Sequence, residues 1–408
     1  MEEPSMQFQS QIEINTPCGS VRGIQHADGK VFYGIPYAHA GRWKYPKQVR
    51  QWDGIVVADT QPPLCYQPEQ GAQGRTEFSE DCQYLNVFCP TDAEHAPVVV
   101  FIHGGNFVYG GLSCRDVQLT KWAKQGVVSV AVGYRLGCLG FAADPELMAE
   151  SGRCGNYGLY DILAALGWIH DNIAAFGGDP NRVTLVGQSA GAIAADYLCT
   201  SELAAGLVHQ AVLLSGGTHR IGSHSVRLED AYPFWSGIRH RCGADSLSAW
   251  RKTSPHQLIS AFEEARDLYP IRKTMAWYHP LPDGFLIPYY QASEEIPRNP
   301  NIRYLVGATQ YDMFPDLFLQ ELHEWQKTVP HVYACLFAQD CKGVEHSATH
   351  DSDLPYWLGT MSKGDYLPQD EELSGRMIQY LCNFVKYGDP NGEQLPYWDS
   401  NGIHMLRL

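Results

Sequence analysis

No stretch of 18 consecutive apolar residues occurs along the 408 positions, so no segment reads as a membrane-spanning helix and no membrane partner is expected. Linkers rich in proline and serine, charge runs, low-complexity tracts and solenoid-type repeats are missing as well. Residues 1–408 therefore read as a single domain, with disorder expected only at the first few residues. Basic residues are scarce, 30 Lys and Arg against 45 Asp and Glu. The formal charge of −15 argues against a nucleic-acid partner, whose phosphates need clustered cations. It serves solubility, or an acidic mouth that steers cationic substrates. Twelve cysteines lack CxxC or Cys/His ligand spacing, which removes a zinc signature and leaves no metal expected. Cys199 and Cys382, in apolar helical patterns, read as buried thiols. Met1 to Gln7 lacks a basic segment leading into an apolar run, so a cytoplasmic chain is expected, or a secreted one where a leader has been removed.

What is present is a series of short apolar runs. Val98 to Ile102, Val127 to Val132, Val183 to Val186, Ala211 to Leu214, Tyr304 to Val306 and Val332 to Phe337 are spaced far enough apart for intervening helices. An α/β fold follows, with a mostly parallel central sheet flanked by helices. Ile162, Leu166, Ile169 and Ile173 recur at helical spacing before Gly177-Gly178, and Met377, Leu381 and Phe384 mark another helix stopping before Gly388. Ile12 to Tyr37 reads instead as short strands turning at Gly19, Gly23 and Gly29, a small N-terminal antiparallel sheet beside the main one.

The pentad Gly187-Gln188-Ser189-Ala190-Gly191 lies between the β-rich run Arg182 to Val186 and the helix formers Ala192 to Ala195. Glycines on either side permit a tight strand-to-helix elbow that exposes a serine Oγ as a nucleophile. GxSxG alone is a weak signal, so the surrounding segments decide. A serine hydroxyl needs a base, and the base needs an orienting carboxylate. Tyr304 to Val306 is followed by Asp312, and Val332 to Phe337 by a loop carrying His346 and His350. The chain order of serine, acid and histidine is the one this sheet architecture uses. After the first long strand, His103-Gly104-Gly105-Asn106-Phe107 suits an oxyanion hole, its amides converging with that of Ala190.

At these residues the chain resembles the type B carboxylesterases, the α/β-hydrolase family that includes cholinesterases and many bacterial esterases. The resemblance covers nearly the whole length. It rests on Gly34-Ile35-Pro36-Tyr37-Ala38, Glu80 to Val87, the His103-Gly104-Gly105 loop and Tyr134-Arg135-Leu136-Gly137. Most specific is the run from Gly155-Asn156-Tyr157-Gly158 through Asn172 to Val183 and into the elbow. It implies an α/β-hydrolase fold and a serine esterase that needs no cofactor and acts on a small-molecule ester. Ser189 would form the acyl enzyme, His350, preferred to His346, would be the base, and Asp312, with Asp316 as the substitute, the acid. Gly105, Asn106 and Ala190 would supply the oxyanion amides. Ser215 matches a serine near the triad, a hydrogen-bond partner for it or simply a strand-end turn residue. His103 would fix its loop and not act as a base.

Several positions depart from the family. Gln188 replaces a glutamate beside the serine, Asn106 a third glycine in the oxyanion loop, and Asp312 a glutamate, with Met313 following in place of glycine. The shorter Asp312 must bring its backbone closer to the histidine. Cys65 and Cys82 match the positions of a disulfide in secreted members, although an intracellular location would keep them reduced. Only 38 positions separate Asp312 from His350 where fuller members interpose a helical segment, so a reduced cap, a shallower pocket and tolerance of bulky esters are expected. Two rivals stand beside a carboxylesterase: a non-catalytic cholinesterase-like binding protein, since fold does not guarantee activity, and a lipase of the same fold. The natural ester and the oligomeric state carry no readable signal.

Overall fold

The computed structural model describes residues 10–69, 77–112, 117–217, 226–289, 298–362 and 365–407. Twelve strands form one sheet. They are β1 (Ser10–Thr16), β2 (Gly19–His26), β3 (Gly29–Pro36), β4 (Ile55–Val57), β5 (Tyr84–Cys89), β6 (Ala96–Ile102), β7 (Val128–Val132), β8 (Gly178–Gln188), β9 (Gln210–Leu214), β10 (Arg303–Thr309), β11 (Tyr333–Phe337) and β12 (Ile403–Leu406). Their order is β1-β2-β3-β5-β7-β6-β8-β9-β10-β11-β12, with β4 paired to β2 off that path.

From β7 through β12 every neighbour is parallel. This is the α/β-hydrolase arrangement read from the sequence. All seven residues of β6 and all five of β7 are buried, as the unbroken β-branched runs require of strands covered on both faces. The antiparallel strands β1, β2 and β3 are present, and β3 pairs antiparallel with β5, which pairs with β7. They continue the main sheet and do not stand apart from it.

The helices that bear on the site and its surroundings include α1 (Tyr157–Asn172), α2 (Ala190–Thr200), α3 (Tyr232–Arg241), α4 (Leu247–Lys252), α5 (Pro255–Asp267), α6 (Ile271–Tyr278), α7 (Pro315–Thr328) and α8 (Pro368–Tyr387). Helix α1 ends at Asn172 and tightens into one 3-10 turn over Ile173–Phe176, with Gly177 left-handed at φ 83°. Beside it Arg135 forms a buried bidentate pair with Asp161, both contacts 2.7 Å, and donates to the Lys44 carbonyl at 2.8 Å. A buried guanidinium must be satisfied on several sides, and here it ties three segments together.

The helices α3 to α6 lie between β9 and β10, a layer the sequence reading did not anticipate. The signals were local. Ser246 caps α4 and Ser254, followed by Pro255 at the first helical position, caps α5. Between Asp312 and His350 the main elements are α7 and β11, so the reduced cap holds for that interval while cover comes from the earlier one. Cys65 and Cys82 are buried free thiols in mutual contact, not a disulfide. Among the described residues no helix is long and apolar enough to cross a membrane.

Candidate active site

Strand β8 delivers its last residues, Gly187 and Gln188, to an elbow at Ser189, and α2 begins at Ala190. Ser189 has φ 55° and ψ −124°, outside the comfortable regions for a residue with a side chain. Contacts on all sides hold it there. Its amide donates to the Leu214 carbonyl at 2.8 Å, and its carbonyl accepts from Ala192 and Ile193 at 2.9 and 3.1 Å. Only glycine fits around it: a Cβ on Gly187 would lie 2.3 Å from the Gly191 oxygen, and one on Gly191 would lie 2.0 Å from the Ile102 oxygen. The elbow is thus wedged against the ends of β6 and β9, and the serine side chain stays partly exposed.

The loops after β10 and β11 meet the elbow. An isolated parallel bridge joins Tyr311 to Thr349, and the Tyr311 amide donates to the Ala348 carbonyl at 2.8 Å. That bridge sets Asp312 and His350, the next residue on each side, against each other, which gives the short aspartate its reach. His350 Nδ1 donates to Asp312 Oδ1 at 2.7 Å. A ring protonated there presents a bare Nε2, which accepts from Ser189 Oγ at 2.9 Å. Asp312 also accepts from Thr309 Oγ1 at 2.8 Å and from the Met313 amide at 2.7 Å.

Asp312 is nearly fully buried, and burial alone would push its carboxyl up. The hydrogen bond and charge of His350, with smaller help from Ser215 and Thr309, outweigh that and hold it below the ordinary aspartate value. His350 moves the other way. Burial disfavours its cation, but the bond to Asp312 and the charges of Asp351, Asp312 and Asp353 raise it above the ordinary histidine value. Ser215 is buried, its amide donating to the Gly307 carbonyl at 2.8 Å, and its hydroxyl makes no hydrogen bond of ordinary geometry among the described residues. Asp316 is exposed in the first turn of α7, and His346 is exposed, edge-on to Tyr311 at 4.9 Å. Neither joins the cluster.

Across from His350 the loop after β6 runs through three left-handed residues, Gly105 at φ 104°, Asn106 at 57° and Phe107 at 58°. Asparagine tolerates this conformation better than most side chains. The amides of Gly105 and Asn106 have no acceptor among the described residues, and that of Ala190, first in α2, has no carbonyl of its own helix to bond. His103 is buried, bonded at 2.8 Å to the Gly104 carbonyl and stacked on Tyr134. Burial pushes it down to about 4, so it is neutral near pH 7.

The sequence reading missed what holds Asn106. Its Nδ2 donates to the Tyr278 hydroxyl at 2.7 Å, and its Oδ1 lies 2.7 Å from His279 Nε2. An amide oxygen can only accept, so Nε2 carries the proton; burial and the nearby Arg266 charge push His279 down to about 3 and keep the ring neutral. Arg266 of α5 lies over the rings of Tyr109, Phe262 and Tyr278. The loop after β6 is therefore clamped by side chains at the end of α6. Gln188 Nε2 donates to Asp351 Oδ1, whose distance to His350 Nε2 is 3.4 Å. Among the described residues no three His, Cys, Asp or Glu side chains gather as a metal site requires.

A family model described as the carboxylesterase family matches residues 10–322 and 313–404. Pyrethroid hydrolase Ces2e of Rattus norvegicus is 28% identical over 477 residues, spanning 94% of this chain and 83% of that protein. Fumonisin B1 esterase of Sphingopyxis macrogoltabida is 41% identical over 216 residues, spanning 50% of this chain and 40% of that enzyme. Among solved structures, a thermophilic PNB esterase superposes with a TM-score of 0.82 at 25% identity, covering 98% of this chain and 96% of its own.

Proposed function

The chain belongs to the carboxylesterase family and is a carboxylic ester hydrolase, and from that premise we propose that it cleaves small-molecule esters through an acyl enzyme on Ser189. His350 takes the hydroxyl proton as Ser189 Oγ attacks the ester carbonyl, then gives it to the departing alcohol. Water repeats both steps on the acyl enzyme. Asp312 holds the imidazole in the Nδ1–H tautomer and stabilises its cation. Gly105, Asn106 and Ala190 amides receive the negative oxygen, each such donor contributing about 3 kcal/mol of barrier stabilisation. Gln188, bonded to Asp351, and Ser215 flank the triad.

The observation that carries this reading is the pair of contacts at His350, 2.7 Å to Asp312 and 2.9 Å to Ser189. In a hydrolysis assay with a p-nitrophenyl ester, Ser189→Ala should lower kcat by roughly 10⁴-fold or more with the fold intact by circular dichroism. Asp312→Asn should cost about 10³ to 10⁴-fold, because the amide stabilises the wrong tautomer. Near-full activity in the first variant refutes the nucleophile, and in the second the acid.

A further inference from the structure

His350 is flanked by two carboxylates, one at each ring nitrogen. Asp312 bonds Nδ1 from inside the fold, while Asp351 stands 3.4 Å from Nε2, the nitrogen that handles the reacting proton. Asp351 is not there by the accident of a mobile side chain. Its backbone is left-handed at φ 69°, a conformation that aspartate accepts more readily than most residues, and Gln188 Nε2 bonds its Oδ1. Gln188 itself is buried at the end of β8, one residue before the nucleophile. The side chain of Asp351 remains 61% exposed, so placing a carboxylate there costs little desolvation.

A carboxylate in this position touches the acid–base step directly. Before attack, Nε2 must be unprotonated, and the negative charge beside it favours the protonated ring. After attack, the same charge stabilises the imidazolium that holds the proton destined for the leaving alcohol. We propose that Asp351, tethered by Gln188, is a second positioning carboxylate that sets the basicity of His350 from the substrate side; this rests on His350 being the base.

The groups facing His350 are Asp312 from the loop after β10, Ser189 and Gln188 from the elbow, and Asp351 and Asp353 from its own segment. Asp353 is buried, and burial with the charges of Asp351 and Asp312 pushes it up to about 7. Of the carboxylates facing the ring it raises His350 least. Removing Asp351 leaves Asp312 as the principal anion on the ring.

The test is the acid limb of kcat/KM against pH for the intact enzyme on a neutral ester. Asp351→Asn keeps the left-handed backbone and should move the limb down by roughly 0.5 to 1 pH unit. Gln188→Glu adds a charge and should move it up, and the double variant should return it toward wild type. A change in packing alone would not displace the limb in opposite directions. If Asp351→Asn fails to fold, Asp351→Gly, which also removes the charge and suits the left-handed backbone, is read in its place. A limb that stays within about 0.2 unit in the folded variants overturns the proposal, and if Ser189→Ala is meanwhile inert the nucleophile assignment survives that failure. Activity in Ser189→Ala would instead strike the reading on which the proposal rests.

Discussion

The two sides of the candidate site hold strained backbone in different ways. At the elbow, Ser189 at φ 55° is fixed by close packing of main chain on main chain, with Gly187 and Gly191 leaving no room for a Cβ. At the loop after β6, Asn106 at φ 57° is fixed by its own side chain, which reaches Tyr278 and His279 in the helical layer. The first side belongs to the sheet and is indifferent to what covers it. The second depends on α6, so its geometry is tied to the segment between β9 and β10.

Breaking the elbow should have the larger effect. Gly191→Ala puts a methyl 2.0 Å from the Ile102 oxygen, and neither backbone can yield without parting β6 from α2. We expect a loss of about 3 kcal/mol or more in urea unfolding, or no folded protein. On the other side, Tyr278→Phe leaves Asn106 Nδ2 facing a ring edge with no acceptor. The expected outcome is about tenfold lower kcat with a smaller change in KM, and less than about 2 kcal/mol off stability. Asn106→Gly should be milder still, about threefold in kcat, since glycine suits the left-handed turn and admits water to the groups left behind. If Asn106→Gly proved the most damaging of the three, the clamp and not the elbow would be the structural keystone.

The same contrast governs what could be read in advance. Strands β6, β8, β9, β10 and β11 were legible because short apolar runs are bounded by glycine or polar turns, and the residues after each strand end fell where the sheet architecture needs them. Asp312 was legible by order along the chain. Its reach was not, because the Tyr311 to Thr349 bridge joins residues far apart in sequence. The helical layer escaped notice because its signals, such as Ser254-Pro255, are local caps with no link to chemistry in the sequence. Tyr278, His279 and Asp351 were invisible for a related reason. Each acts through a contact that exists only once the chain is folded, and Asp351 also through a left-handed backbone that no periodicity reports.

That Ser189 is the atom that attacks is tested most directly by covalent capture. Treating the enzyme with a fluorophosphonate ester and mapping the adduct by peptide mass spectrometry should find a single phosphonylated residue, Ser189, formed in step with loss of esterase activity. Labelling should vanish in Ser189→Ala and slow sharply in His350→Ala. An adduct on another residue that tracks the loss of activity, or undiminished labelling of the Ser189→Ala protein, would contradict the account.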